Sequence, residues 1–168
     1  MLVMLLLFAA LLFVAAVYLV RIYNGLVALR ENVRKAWANI DVLLTQRHDE
    51  LPKLVETCKR YMQYEQETLE RVIQARNQAM NAQGAAAHSE ADNMLTGALK
   101  SLFALSEAYP DLKANQNMMQ LTEELTGTEN KISFARQAFN DSVMSYNTAV
   151  QQFPTNVLAG MFSFSTAE

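Results

Sequence analysis

The sequence predicts an all-α fold: an N-terminal membrane-spanning helix followed by an antiparallel up-and-down four-helix bundle. Three observations carry this. Residues 1–20 contain no charged, amide or hydroxyl-aliphatic side chain. The rest of the chain repeats apolar residues at steps of three and four, and it contains no alternating β-rich stretch. The expected division is an anchor over 1–22, a helical bundle over 23–156 and a short tail over 157–168.

At about 1.5 Å of rise per residue, a twenty-residue helix spans roughly 30 Å, the thickness of a bilayer's hydrocarbon core. A cleaved signal peptide would need a basic stretch ahead of the apolar run and a small-residue site behind it. No Lys or Arg precedes the run, and its exit reads Val17-Tyr18-Leu19-Val20. A single retained anchor is therefore expected. Arg21, Arg30, Arg34 and Lys35 follow it closely. Positively charged flanks stay in the cytoplasm, which places the N-terminus outside and the body inside. A lone Cys58, unable to form an internal disulfide, suits that reducing compartment.

Composition narrows the function. The chain has 14 basic and 17 acidic residues, interspersed, for a net charge of −3, so no broad basic footprint for nucleic acid exists. Neither GxxxxGK[ST] nor GxGxxG occurs, and five glycines leave little material for a phosphate-cradling loop.

The body reads as long helices between three prolines, at 52, 110 and 154. Leu26, Leu29, Val33, Ala36, Ile40 and Leu43 form the first stripe, broadened by Tyr23, Trp37 and Leu44. Arg47 and His48 suit a helix C-terminus, and Asp49 can cap a following helix with Pro52 in its first turn, which favours a hairpin here. The alternative is one continuous helix kinked at Pro52, since no glycine marks a turn. A second helix is expected over about 50–82, burying Leu54, Val55, Cys58, Tyr61, Met62, Leu69, Val72, Ile73 and Ala79. Its stretch 64–68 is polar and breaks the stripe.

Residues 81–90, rich in Ala, Asn, Gln and Gly, read as the main loop. A third helix starts at Ser89 or Asp92, buries Leu95, Ala98, Leu99, Leu102, Phe103 and Leu105, and stops at Tyr109-Pro110. The last starts near 115–117 and carries the clearest register: Leu121, Leu125, Thr128, Ile132, Ala135, Phe139, Val143, Tyr146, Val150 and Phe153. A three-and-four pattern of that length suits coiled-coil-like packing.

Few residues suggest chemistry. Arg47-His48-Asp49-Glu50 resembles a ligand or acid/base cluster, but consecutive helical side chains diverge by about 100°, so capping and dipole compensation explain it better. Neither histidine stands three positions after a Glu, which removes the usual di-iron bundle motif, and HExxH is absent. Cys58 lies on an apolar face and reads as a core residue. No cofactor or metal is expected. The least bland group is Glu129, Asn130, Arg136, Asn140, Asp141 and Asn147, a candidate polar network or partner surface. The favoured role is setting helix register. Met118 and Met119 fit either core or an adaptable binding surface.

Four blocks together resemble the LemA family of bacterial membrane-anchored helical proteins. They are Tyr23-Asn24-Gly25-Leu26-Val27-Ala28-Leu29-Arg30 running into Ala36-Trp37-Ala38-Asn39-Ile40-Asp41-Val42; the segment Arg47-His48-Asp49-Glu50-Leu51-Pro52-Lys53-Leu54-Val55-Glu56-Thr57; Glu107-Ala108-Tyr109-Pro110-Asp111-Leu112-Lys113-Ala114-Asn115; and Thr128-Glu129-Asn130-Lys131-Ile132-Ser133-Phe134-Ala135-Arg136 through Asn140-Asp141 to Tyr146-Asn147-Thr148. With Phe153-Pro154 they cover nearly the whole body. The resemblance implies a tethered four-helix bundle in the bacterial inner membrane with a cytoplasmic body; the family has no established enzymatic activity and no agreed catalytic residues, so it carries over motifs and not a site.

The functional expectation is a non-enzymatic, single-pass scaffold that presents its bundle to protein partners or to copies of itself. A membrane-organising or remodelling protein with direct lipid contact is the alternative. A ligand sensor or enzyme built on the Glu129 to Asp141 region ranks below both.

Overall fold

The computed structural model describes residues 1–167, and among them every regular element is helical. The helices are α1 (Leu2–Lys59), α2 (Gln66–Asn81), α3 (Ala85–Ser106), α4 (Pro110–Lys113), α5 (Gln116–Gln151) and α6 (Thr155–Met161). The chain divides into two compact units. One holds Met1–Asn39 and the chain from Ala135 onward; the other is Ile40–Phe134.

The favoured hairpin near residue 49 does not form. Helix α1 runs through Pro52 without interruption. Proline has no N–H for the carbonyl four residues back, so the His48 carbonyl loses its helical partner. The Arg76 side chain of α2 supplies a replacement, with Nε donating to His48 O at 2.7 Å. This tertiary bond satisfies the carbonyl that the proline leaves without a helical donor.

The turn comes instead at residues 60–65, inside the stretch expected to be one continuous helix and only overlapping its polar segment 64–68. Met62 is completely buried there, and its N–H reaches Cys58 O at 2.8 Å. Tyr61 accepts a bond from Asn115 Nδ2 at 3.1 Å, while Tyr64 projects into solvent. The turn is held by packing, without glycine or proline.

The expected loop over 81–90 contracts to Ala82-Gln83-Gly84, and α3 begins at Ala85. Gly84 adopts φ +85°, a left-handed conformation that a side chain would strain. α2 and α3 pack against each other across this short connection. α4 starts with Pro110 in its first turn. Asn115 Oδ1 then accepts the Met118 N–H at 3.1 Å, capping the start of α5 where the sequence places it.

In the unit of Ile40–Phe134, one core takes Leu51, Leu54, Val55 and Cys58 from α1, Leu69 and Val72 from α2, Leu95, Leu99 and Leu102 from α3, and Leu121 and Leu125 from α5. Cys58 is fully buried, as its apolar setting suggests, and burial pushes its thiol up to about 11. The other unit has a smaller core of Leu26, Tyr146, Ala159 and Phe164. Phe153, expected at the end of the α5 stripe, lies beyond the helix and is exposed.

The first twenty residues are exposed along α1, the one helix among the described residues that is long and apolar enough to cross a membrane. An apolar surface of that length suggests a membrane protein.

Candidate functional site

The polar interior of the Ile40–Phe134 unit is built where the apolar registers of three helices admit polar residues. On α1 the sequence of core positions is Ile40, Leu44, Arg47, Leu51 and Leu54. On α3 it is Asp92, Leu95, Leu99 and Leu102, and on α5 it is Leu121, Leu125, Thr128 and Ile132. Arg47, Asp92 and Thr128 are buried with their apolar neighbours.

Arg47 is the hub. Its Nη1 donates to Asp92 Oδ1 at 2.6 Å, and its Nη2 donates to Thr96 Oγ1 at 3.0 Å. Glu129 Oε2 lies 2.7 Å from Nη2, an ion pair whose angle does not make an aligned hydrogen bond. The side chains of Arg47 and Asp92 are 3% and 2% exposed, whereas that of Glu129 is 42% exposed. The first pair is therefore desolvated, and the second is partly screened by water. One guanidinium thus ties α1 to α3 and α5. The Arg76 bond to His48 O ties α1 to α2.

His48, next to the hub on α1, is buried, and its Nε2 has no hydrogen-bond partner. Burial lowers its pKa; Asp92 and Asp49 oppose this, and Arg47 and Arg76 add to it. His48 is therefore held neutral in the fold and takes up a proton more readily once unfolded. With the folded pKa below the ordinary value of 6.5, stability is full above about that pH and falls as acid is added through the window beneath it. The limiting slope for one proton is about 1.4 kcal/mol per pH unit. Unfolding free energies measured from pH 7.5 to 5.5 are expected to decline for the wild type and to decline less for His48→Gln. Identical slopes for the two proteins would contradict this.

The cluster Arg47 to Glu50 is thus not a helix end, and the capping explanation of it is corrected. Glu50 is also buried, accepting from Gln46 Nε2 at 3.2 Å through Oε1. Asp49 alone faces solvent.

The six candidate network residues have separate roles. Glu129 joins the Arg47 hub. Asn130 is exposed and lies on the wall of an open surface groove of about 610 Å³ that Phe103, Met118 and Met119 also line. Met118 is buried on the core side of that groove and Met119 is exposed. In the other unit, Arg136 is half-buried, and Asn140 and Asp141 face solvent. Asn147 holds the C-terminal segment: its Nδ2 donates to Ala167 O at 2.9 Å and its Oδ1 accepts from Ala167 N at 2.8 Å. Tyr146 donates to Ser165 O at 2.9 Å beside it. Arg30 lies 5.0 Å from the centroid of the Phe164 ring, in cation–π contact.

Arg47, Asp92 and Arg76 are not among the sequence-derived network candidates. The signal for the first two is their place in an apolar register, where a charge is costly unless paired. Arg76 is half-buried beside the unbroken α2 stripe of Val72, Ala75 and Ala79, so periodicity gives no such signal for it.

These features define a class: a helical protein with one apolar N-terminal span and a core cross-tied by a buried arginine. The LemA family model matches residues 36–168, and the chain belongs to that family. Protein LemA of Metamycoplasma hominis is 28% identical over 141 residues, covering 81% of this chain and 63% of that protein. Magnetosome protein MamQ of Magnetospirillum gryphiswaldense is 31% identical over 78 residues, covering 46% of this chain and 29% of that protein. Magnetosome protein MamQ 2 of Paramagnetospirillum magneticum is 30% identical over a stretch of 78 residues with the same shares. The chain spans less than two thirds of the length of these relatives.

Proposed function

We propose that this protein is a non-enzymatic, single-pass, membrane-anchored scaffold whose helical body is presented to protein partners or to further copies of itself. The observation that carries the reading is the Arg47 hub. The most polar interior group of the Ile40–Phe134 unit is consumed in tying its own helices together, with Arg47 and Asp92 closed to solvent. Catalysis needs such groups to converge on a space that a substrate can enter. Here they converge on each other.

The body is an antiparallel up-and-down four-helix bundle in this reading, supported by the core that α1, α2, α3 and α5 share in the Ile40–Phe134 unit. The anchor lies in the bacterial inner membrane with the N-terminus outside and the body in the cytoplasm. Arg21, Arg30, Arg34 and Lys35 on the body side support that orientation. Crosslinking in intact membranes is expected to capture discrete homo-oligomers or a defined protein partner. A strictly monomeric protein that crosslinks to nothing would sink the proposal.

A further inference from the structure

Helix α6 is apolar around most of its circumference, but only part of that surface is buried. Leu158 and Ala159 face inward, beside the small core formed by Leu26, Tyr146, Ala159 and Phe164. Val157 and Met161, one turn apart on another face, are 54% and 72% exposed, and Phe162 at the end of the helix is 55% exposed. Phe153, just ahead of the helix, is 82% exposed. From Phe153 to Ala167 the chain has no charged side chain. Water is a poor partner for this surface.

Its position on the fold identifies a better one. The Phe162 ring packs edge-on against the Tyr23 ring with centroids 5.0 Å apart, and Phe164 does the same from 5.7 Å. Tyr23 stands three residues past Val20, the last residue of the apolar run, a distance of about 4.5 Å along a helix axis. Helical side chains lean toward the N-terminus, so the Tyr23 ring reaches back toward the end of that run. Aromatic rings at this level are suited to the boundary between headgroups and acyl chains.

We propose that the Val157, Met161 and Phe162 face of α6 lies on the bilayer surface, a second membrane contact beside the anchor. The lipid surface is the occupant because the patch is joined by ring contacts to the residue at the mouth of the span, where lipid is the neighbouring phase. Arg21, exposed at the same level, complements anionic headgroups. This contact rests on the membrane anchor of the proposed function, residues 1–20 crossing the bilayer, and not on its partner-presenting role.

The test uses the full-length chain in liposomes containing anionic lipid, labelled with a fluorophore at single sites: Met161→Cys, Val157→Cys, Asn156→Cys and Leu12→Cys. Native Cys58 is buried and its thiol weakly ionised, so labelling is directed to the new sites. Sites 161 and 157 are expected to be quenched severalfold more by nitroxides placed near the headgroups than site 156, and to be protected from aqueous iodide. Site 12 is expected to respond to nitroxides deep in the acyl chains. If 161 and 157 behave like 156 while 12 responds, the surface contact is overturned and the span stands. Protection from iodide without nitroxide quenching would mean that protein covers the face, and would also overturn the contact. An unresponsive site 12 would remove the span itself.

Discussion

Arg47→Met is expected to destabilise the protein by about 3–5 kcal/mol, the cost of removing one member of a buried ion pair. Asp92 is the carboxylate at issue, because its side chain is 2% exposed and water cannot reach in to compensate. Glu129 contributes less, since its side chain remains 42% exposed and can rehydrate. The double variant Arg47→Met/Asp92→Leu removes both charges from the same site and is expected to recover most of the loss. Methionine and leucine can fill that space without a desolvation penalty. Chemical unfolding followed by circular dichroism in detergent micelles gives all three free energies. Additive losses in the double variant would show that the two groups act independently, contrary to the 2.6 Å bond between them.

Arg76→Ala is expected to cost about 1–3 kcal/mol, because it leaves the buried end of a proline-orphaned carbonyl unsatisfied. The partner experiment is Pro52→Ala. Alanine restores the backbone N–H that His48 O lacks, so Arg76 becomes largely redundant as a donor. The loss from Arg76→Ala should therefore be much smaller in the Pro52→Ala background than in the native one. Equal losses in both backgrounds would show that Arg76 acts through packing or general electrostatics instead. The pair gives a physical account of a proline in the interior of a long helix, where it ordinarily breaks the ladder or kinks the axis.

The same two sites show what can and cannot be read from the sequence. Steps of three and four locate many of the buried apolar residues of the long helices, since that periodicity follows from one turn per 3.6 residues and needs no knowledge of the partner. The start of α5 is readable from Asn115 because capping is local. The turn at 60–65 is not. It has no glycine or proline and is fixed by burial of Met62 and by Tyr61 meeting Asn115, 54 residues away. Pro52 weighs too heavily as a boundary for the complementary reason, that Arg76 comes from 28 residues beyond His48.

The hub is partly legible. Glu129 stands out in the sequence, but Arg47 reads there as a helix-terminal charge although it occupies a core position between Leu44 and Leu51. A charge in an apolar register calls for a partner, and Asp92 occupies the equivalent kind of position on α3. What no single-chain pattern can supply is the pairing itself, across 45 residues of sequence. Asn140 and Asp141 face outward, at positions the α5 stripe already assigns to solvent.

The central functional claim is that α1 holds this protein in a membrane with its body on the cytoplasmic side. Labelling of intact cells by a membrane-impermeant maleimide, comparing Leu2→Cys with Tyr64→Cys, tests it most directly. Tyr64 is 94% exposed and replaceable without loss of packing. The expected result is that position 2 reacts in intact cells and position 64 reacts only after lysis. Labelling of position 64 in intact cells, or recovery of the protein in the soluble fraction, would contradict the claim.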